Sequence, residues 1–313
     1  MIAPIGRVLS IGCIRGKDCD MEYKMIYCKK VLQNWNFADI EILEQFNKNS
    51  PRLIFKIQAD GCHYILKGIP FSKPENVVLG NTLAHEYLGN QKGIAPRIIY
   101  LPDGRSFIES DGFRFYLTEF IEGRPMAPTA ENEYQLGRLV RSLHSYTDFN
   151  HPSGLNENKQ RFYEWFPEKS FKTEFNALLN SLPDFSAYDR CFIHTDLGPH
   201  NTMIKPDGRL VLIDLDDAGI GSRYLDLGYA FIMRFVEHTE DMQLYYRFDL
   251  AKAFLEGYYG DSPIPRFEYD FMWHGAVQMH ISYMQSFGYD AVDSLWKILK
   301  FGIEQKEKLW AML

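Results

Sequence analysis

Between Phe192 and Asp217 the chain reads FIHTDLGPHNTMIKPDGRLVLIDLDD, and few folds accept that order. Two short apolar runs, Thr202-Met203-Ile204 and Leu210 to Ile213, flank Lys205-Pro206-Asp207-Gly208-Arg209. Pro followed by Asp-Gly marks a turn, so the two runs are predicted to pair as a short hairpin. A polar loop opened by His194-Thr195-Asp196 leads into it. Asn201 stands at the hairpin's entry, five positions after Asp196, and Asp214 stands at its exit. Paired strands bring their outer ends together, so Asn201 and Asp214 can converge on one ion.

His194, Asp196 and Asn201 also belong to the residue types that cap helices and close turns, and a lone His-x-Asp arises easily by chance. The hairpin makes a sharper reading available. Phosphoryl transfer asks for a carboxylate to orient the attacking hydroxyl and for oxygen ligands to a magnesium ion that neutralises phosphate charge. In the kinase loop pattern the first Asp accepts the hydroxyl proton, while the Asn and the later Asp hold metal. Asp196 is then the base, and Asn201 and Asp214 are the magnesium ligands.

The segments HTDLGPHN at 194–201 and LIDLDDAGIGSRYLDLGYAF at 212–231 resemble the aminoglycoside phosphotransferase and choline kinase group of small-molecule kinases. Protein kinases follow the metal Asp with Phe-Gly and later carry Ala-Pro-Glu; this chain has Leu215-Asp216, then Gly221, Asp226 and Leu227. Arg223 departs from the group's frequent proline, in a turn outside the chemistry. The resemblance implies an α+β, bilobal protein-kinase-like fold. Residues 1–122 would form a small lobe with an antiparallel β-sheet and one helix, 1–35 being an extension without assigned role. Residues 123–313 would form a larger helical lobe carrying the catalytic loop and substrate site.

The same resemblance assigns the nucleotide site. Lys67 ends the strand Tyr64-Ile65-Leu66-Lys67, and Glu86 lies in the helical Thr82 to Leu88, with Leu83, Tyr87 and Leu88 facing inward; as the kinase lysine and its glutamate they would place the α/β-phosphates. A strand-end lysine and a solvated glutamate explain them equally well without the downstream loop. The turn Asn47 to Pro51 has no glycine, and Ser50 with its neighbouring amides would donate to phosphate there. Backbone groups of Glu119 and Ile121, in Tyr116 to Gly123, would meet the adenine edge. His144, closing Leu-Gly-Arg-Leu-Val-Arg-Ser-Leu-His, is expected to be structural. Asp226 reads either as the N-cap of its helix or as a prop under the catalytic loop.

Elsewhere, strands are expected at Ile40 to Phe46, Leu53 to Ile57, His63 to Leu66, Arg97 to Leu101 and Phe113 to Phe120. Helices are expected at Met21 to Gln33, packing Met25, Val31 and Leu32; from Thr129, with Leu136, Leu139, Val140 and Leu143 on one face; and over Arg161 to Leu182. Beyond Asp226 three helical segments follow: 226–259 with a break near Thr239, 267–287, and 291–313.

The 313 residues are 46% hydrophobic and carry a net charge of −7, enough apolar content for real cores and the wrong sign for binding a nucleic-acid backbone. Five cysteines, irregularly spaced at 13, 19, 28, 62 and 191, read as free thiols. No apolar run reaches the ~18 residues of a membrane span, and Pro4, Gly6 and Arg7 break any leader-like start, so a cytoplasmic protein without membrane or nucleic-acid partners is expected.

The expected reaction is magnesium-dependent transfer of the γ-phosphoryl of ATP, with GTP as the alternative donor, to a hydroxyl of a small molecule. Competing readings are a homoserine- or choline-type metabolite kinase, a protein kinase, and a nucleotide-binding pseudokinase; the intact set Lys67, Glu86, Asp196, Asn201 and Asp214 speaks against the last. Asp216, Asp217, Glu237, Glu240, Asp241, Glu256, Asp261, Glu268 and Asp270, with Trp273 or Tyr283 for cation–π contact, would favour a cationic acceptor such as an aminoglycoside or amino alcohol. The bland alternative for these acids is a solvated helix face.

Overall fold

The computed structural model describes residues 26–47, 50–155, 159–166, 168–188 and 190–313, in two compact units. Unit 1 runs to Pro70 and adds Tyr100–Leu117; unit 2 comprises Phe71–Ile99 and Thr118–Leu313.

Unit 1 is an antiparallel sheet. It contains β1 (Ile40–Phe46), β2 (Leu53–Ala59) and β3 (Cys62–Pro70), and the order continues from β3 to the later strand Phe113–Glu119. In β2 the alternation is strict: Leu53, Phe55, Ile57 and Ala59 are buried and the residues between them half-buried, as a strand packed on one face requires. Asp60-Gly61 turns β2 into β3 with both residues at positive φ (48° and 79°), the geometry a two-residue hairpin needs. The expected meander is present, each strand a little longer than foreseen in β2 and β3. A helix, α1, covers 26–32 and buries Val31 and Leu32; the predicted contact of Met25 lies outside the described residues.

In unit 2, α2 (Glu75–Ala84) continues as a π-wound turn, His85–Gln91, before β4 (Ile98–Ile99). Its inward stripe is Asn81, Ala84, His85 and Leu88, with Tyr87 beside it. Leu83 falls off that stripe and is exposed, which corrects its expected inward position. In the later part of unit 1, strands β5 (Ile108–Ser110) and β6 (Phe113–Glu119, of which Thr118 and Glu119 belong to unit 2) pair through Phe113↔Ser110, and β5 was not foreseen. Then come β7 (Arg124–Pro125) and α3 (Ala130–Leu143), capped by Thr129, whose hydroxyl accepts from the Asn132 amide at 3.3 Å. The stripe Leu136, Val140, Leu143 is buried and Leu139 partly so, as the periodicity predicts.

The single helix expected over 161–182 is two: α4 (Gln160–Trp165) and α5 (Lys172–Ser181). Pro167 explains the split, since the residue before proline is driven out of the helical region and Phe166 has ψ 126°. Strands β8 (Arg190–Ile193), β9 (Thr202–Ile204), β10 (Leu210–Leu212) and β11 (Gly219–Ser222) precede α6 (Arg223–Met233). The expected break near Thr239 is a hairpin, β12 (Val236–His238) with β13 (Leu244–Tyr246), whose turn is closed by the Gln243 amide on Thr239 Oγ1 at 3.0 Å. Strands of three residues are too short to show a period. The remainder is α7 (Phe248–Tyr259), α8 (Arg266–Phe287), α9 (Val292–Glu304) and α10 (Lys306–Trp310).

Two helix crossings bring backbones into contact. A Cβ on Gly137 of α3 would lie 2.1 Å from the Phe254 carbonyl of α7, and one on Gly228 of α6 would lie 2.2 Å from the Ala276 amide of α8. Only glycine fits either place. The crossings fix α3 and α6, the two helices that carry the buried charges of the site. No helix among the described residues is long and apolar enough to cross a membrane. Cys28, Cys62 and Cys191 are free thiols, and burial pushes Cys28 up to about 12; Cys13 and Cys19 lie outside the described residues.

Candidate active site

Two antiparallel pairs bracket the site in unit 2. β8 lies against β11 with Ile193 opposite Gly219, and β9 lies against β10 with Thr202 opposite Leu212. The segments between them, 194–201 and 213–218, are therefore clamped at both ends and face one another. β7 adds to the second pair through Arg124↔Ile204, so the predicted hairpin belongs to a small three-stranded sheet with β9 in the middle.

Specific bonds close the gap between the segments. The Ile213 amide donates to the Asn201 carbonyl at 2.9 Å, one residue before Asp214. His194 accepts the Asp196 amide on Nδ1 at 3.3 Å, so its Nε2 carries the proton and donates to the Ile213 carbonyl at 3.0 Å. Asn201 Nδ2 donates to the Asp196 carbonyl at 3.0 Å. That bond commits the amide nitrogen and leaves the amide oxygen as the group Asn201 can offer elsewhere.

The backbone bends sharply here. Thr195, Asp214 and Asp217 all have positive φ, at 73°, 60° and 68°. A β-branched residue in that region is strained by ~1–3 kcal/mol and persists only where its surroundings hold it. Asp226 is what holds Thr195: its buried carboxylate accepts the His194 amide at 2.8 Å and the Thr195 amide at 2.6 Å. A third bond comes from His144 Nε2 at 3.2 Å, while His144 Nδ1 meets the Tyr258 hydroxyl at 3.0 Å. Asp226 thus lies in the first turn of α6 but props the loop instead of capping its own helix, and His144 is structural.

Asp196 is half-buried beside two tyrosines. Burial, then the nearby Asp196 carboxylate, pushes the Tyr229 phenol far above its usual range, and the same two causes raise Tyr283. A Cβ at Gly198 would come within 3.0 Å of Asp196 Oδ1, so the loop backbone packs directly on the carboxylate.

Three contributors were not singled out from sequence. Asn81 of α2 donates to Asp216 Oδ1 at 3.2 Å and accepts the Asp217 amide at 3.3 Å, tying that helix to the segment after Asp214. Glu133 of α3 and Arg234, at the end of α6, form a buried ion pair that reaches the loop. Their signal is visible in retrospect: Glu133 sits three positions before Leu136, on an apolar stripe where a charge needs a partner.

The remaining predicted residues divide between the units. Glu86 is half-buried in the π-wound turn and accepts from Gln91 Nε2 at 3.4 Å. Glu119 takes Arg97 Nε at 3.0 Å on its carboxylate and donates its own amide to the Arg97 carbonyl at 2.9 Å; Ile121 is buried. Lys67 and Ser50 are in unit 1. Lys67 is buried on β3 opposite Ile54. Ser50 Oγ accepts the Arg52 amide at 3.1 Å and so stabilises its own turn.

Part of the acidic set proposed for the later helices is otherwise engaged. Glu237 pairs with Arg247, Glu268 with Arg223, and Asp270 with Arg266 and Lys306. Trp273 is buried with its ring 5.0 Å from Phe231, which corrects its expected place as an aromatic surface for a cation.

A fold of this kind, with a propped His-x-Asp loop laced to an Asp-bearing turn, defines the protein-kinase-like class of phosphoryl-transfer enzymes. Residues 43–260 match the profile of the phosphotransferase enzyme family (APH), and the chain belongs to that family. It is a phosphotransferase. Among solved structures it is similar to a microcompartment-associated aminopropanol kinase (15% identity, 92% of this chain and 98% of that one, TM-score 0.66). It is also similar to a spectinomycin phosphotransferase in complex with ADP and spectinomycin (13%, 91% and 97%, 0.60) and to the choline kinase of Cryptosporidium parvum Iowa II (16%, 94% and 97%, 0.60).

Proposed function

We propose that the protein transfers the γ-phosphoryl of ATP to a hydroxyl of a small amine-bearing alcohol, with magnesium. Asp196 accepts the hydroxyl proton. The observation that carries this reading is the lacing of 194–201 to 213–218, which holds Asp196, Asn201 and Asp214 on two facing segments. The donor set fits a hard cation: an amide oxygen left over by a committed nitrogen, and a carboxylate. Asn201 and Asp214 would hold magnesium, which when bound neutralises charge on the transferring phosphates.

Lys67 and Glu86 would serve the α/β-phosphates as the kinase pattern implies, and Ser50 would serve the phosphate-covering turn. Since the Glu119 amide is already bonded to Arg97, the adenine edge falls to the Glu119 carbonyl and the Ile121 amide. Residues up to 122 would supply the nucleotide's lobe and those from 123 the acceptor's. Aminopropanol, choline and spectinomycin, named for the similar structures, support an acceptor that carries both a cationic nitrogen and a hydroxyl.

The test is nucleotide consumption by the full chain against amino alcohols, aminoglycosides, sugars, homoserine and test proteins, with ATP and GTP as donors. A hydroxyl-bearing amine should stand out by at least tenfold in kcat/KM. Asp214→Ala should weaken Mg-ATP binding by at least tenfold in calorimetry. Equal Mg-ATP affinity in that variant would remove Asp214 from the metal site.

A further inference from the structure

Helix α6 touches the catalytic loop twice, with groups of opposite character. Near its start Asp226, which can only accept, takes the amides of His194 and Thr195 just before the base. Beyond its end Arg234, which can only donate, gives Nη1 to the carbonyls of Leu197 (3.1 Å) and Gly198 (2.9 Å) just after it. The rest of the guanidinium is used by Glu133 of α3, with Nε on one carboxylate oxygen at 3.1 Å and Nη2 on the other at 2.5 Å. Both side chains are almost wholly buried, at 2% and 1% exposure.

Stability alone does not ask for this arrangement. A buried ion pair is often replaceable by apolar residues of similar volume without loss, because desolvation cancels much of the attraction. Apolar side chains could not hold two carbonyls. The Gly198 carbonyl also accepts the Asn201 amide, at 3.2 Å, so one oxygen anchors both the turn leading to Asn201 and the backbone packed on Asp196.

We propose that Glu133 and Arg234 are a positioning pair that sets the placement of Asn201 relative to Asp196, with α6 acting as a splint gripping the loop on both sides of the base. This rests on the functional reading above for the roles of those two residues. Arg234 touches no reacting atom in this scheme; it acts through the Leu197 and Gly198 carbonyls.

The experiment compares the full-length wild-type chain with Glu133→Leu/Arg234→Met, which removes both charges together, and with Arg234→Lys, which keeps a cation but loses the fork. Two readouts are taken: steady-state kinetics on the best acceptor, and hydrogen exchange of peptides covering 195–203 against peptides from α8. Positioning predicts a kcat at least tenfold lower in the double variant, with acceptor KM within about threefold and a several-fold higher magnesium requirement. Exchange should rise at least tenfold in 195–203 while α8 stays as in wild type. Arg234→Lys should show both effects at smaller size.

A folded double variant with wild-type kcat and wild-type loop exchange would overturn the inference. So would exchange rising equally in the loop and in α8, which marks a merely structural pair. If the double variant does not fold, Arg234→Lys decides on the same two criteria. Hydrogen exchange needs no substrate, so it stands apart from the functional reading: a chain that consumes no nucleotide but shows the loop-confined exchange would sink the reaction and keep the splint.

Discussion

The stretch 194–217, which carries the proposed catalytic residues, and the C-terminal helices α7 to α10 are held by different forces. In the first, buried polar groups grip the loop: Asp226 takes two main-chain amides, Arg234 gives to two main-chain carbonyls, and Asn81 bonds the Asp216 carboxylate and the Asp217 amide after Asp214. In the second, aromatic rings pack on one another, Phe171 on Trp296 at 4.7 Å and Tyr269 on Trp310 at 4.9 Å, under a surface of ion pairs such as Arg266–Glu307. Hydrogen bonds are directional and fix atoms to within tenths of an ångström; apolar burial is non-directional and tolerates other fillings of the same volume. Chemistry belongs where placement is enforced. The aromatic helices can present different surfaces without disturbing it.

Asp196→Asn tests the first side of that contrast with the largest expected effect. It keeps the shape and removes the carboxylate, so kcat should fall by ~10²–10⁴ while nucleotide affinity holds within about twofold. Stopped or steady-state turnover with calorimetry on the same preparation measures both. Near-normal kcat would show that the loop positions something other than the base.

Trp273→Ala tests the other side. Removing a fully buried indole should cost ~3–5 kcal/mol of unfolding free energy in denaturant titration. Any chain still folded at low temperature should bind Mg-ATP as wild type does. If nucleotide affinity collapsed along with stability, the two regions would not be separable in the way the forces suggest.

What could be read in advance follows the same division. The hairpin around Lys205 to Arg209, the Asp60-Gly61 turn and the α3 stripe were legible because local chemistry determines them: a turn dipeptide or a 3.6-residue period fixes the conformation on the spot. Asp196, Asn201 and Asp214 were legible as residue types at a spacing. The partners that hold them were not, since Arg234 meets Glu133 across 101 positions and Asn81 meets Asp216 across 135. No window of sequence contains such a pair. The split at Pro167, by contrast, was present in the sequence as a proline inside an otherwise helical pattern.

Within the aromatic helices two buried histidines give a pH signature. Burial drives His280 from 6.5 down to about 4, its one bond being Nε2 to the Leu295 carbonyl at 2.8 Å, and burial followed by Lys306 lowers His274 as well. A histidine whose pKa is depressed in the folded state binds its proton preferentially in the unfolded chain. Stability is therefore full above about pH 6.5 and is lost as pH falls toward 4, by roughly 3 kcal/mol at most for His280. His280→Gln, which keeps a donor for Leu295, should flatten much of the decline between pH 6.5 and 4 in denaturant midpoints. An unchanged acid slope would place its origin elsewhere.

The smallest effect concerns the acceptor's charge. With Glu237, Glu268 and Asp270 already paired to arginine or lysine, the acidic character of the later helices offers little long-range pull. Attraction for an amine would come instead from carboxylates near the reacting hydroxyl, Asp196 first, with the Tyr283 ring on the same side. Exposed Glu240, Asp241 and Glu256 should then be replaceable by Gln or Asn with KM for an amino alcohol unchanged within twofold. Short-range attraction is screened less than long-range steering, so KM should rise only about two- to threefold as salt shortens the Debye length from ~10 Å at 0.1 M to ~3 Å at 1 M. A tenfold rise would restore the helix acids as the source of attraction. A neutral acceptor would leave KM flat in salt and in every charge variant, with turnover still dependent on Asp196.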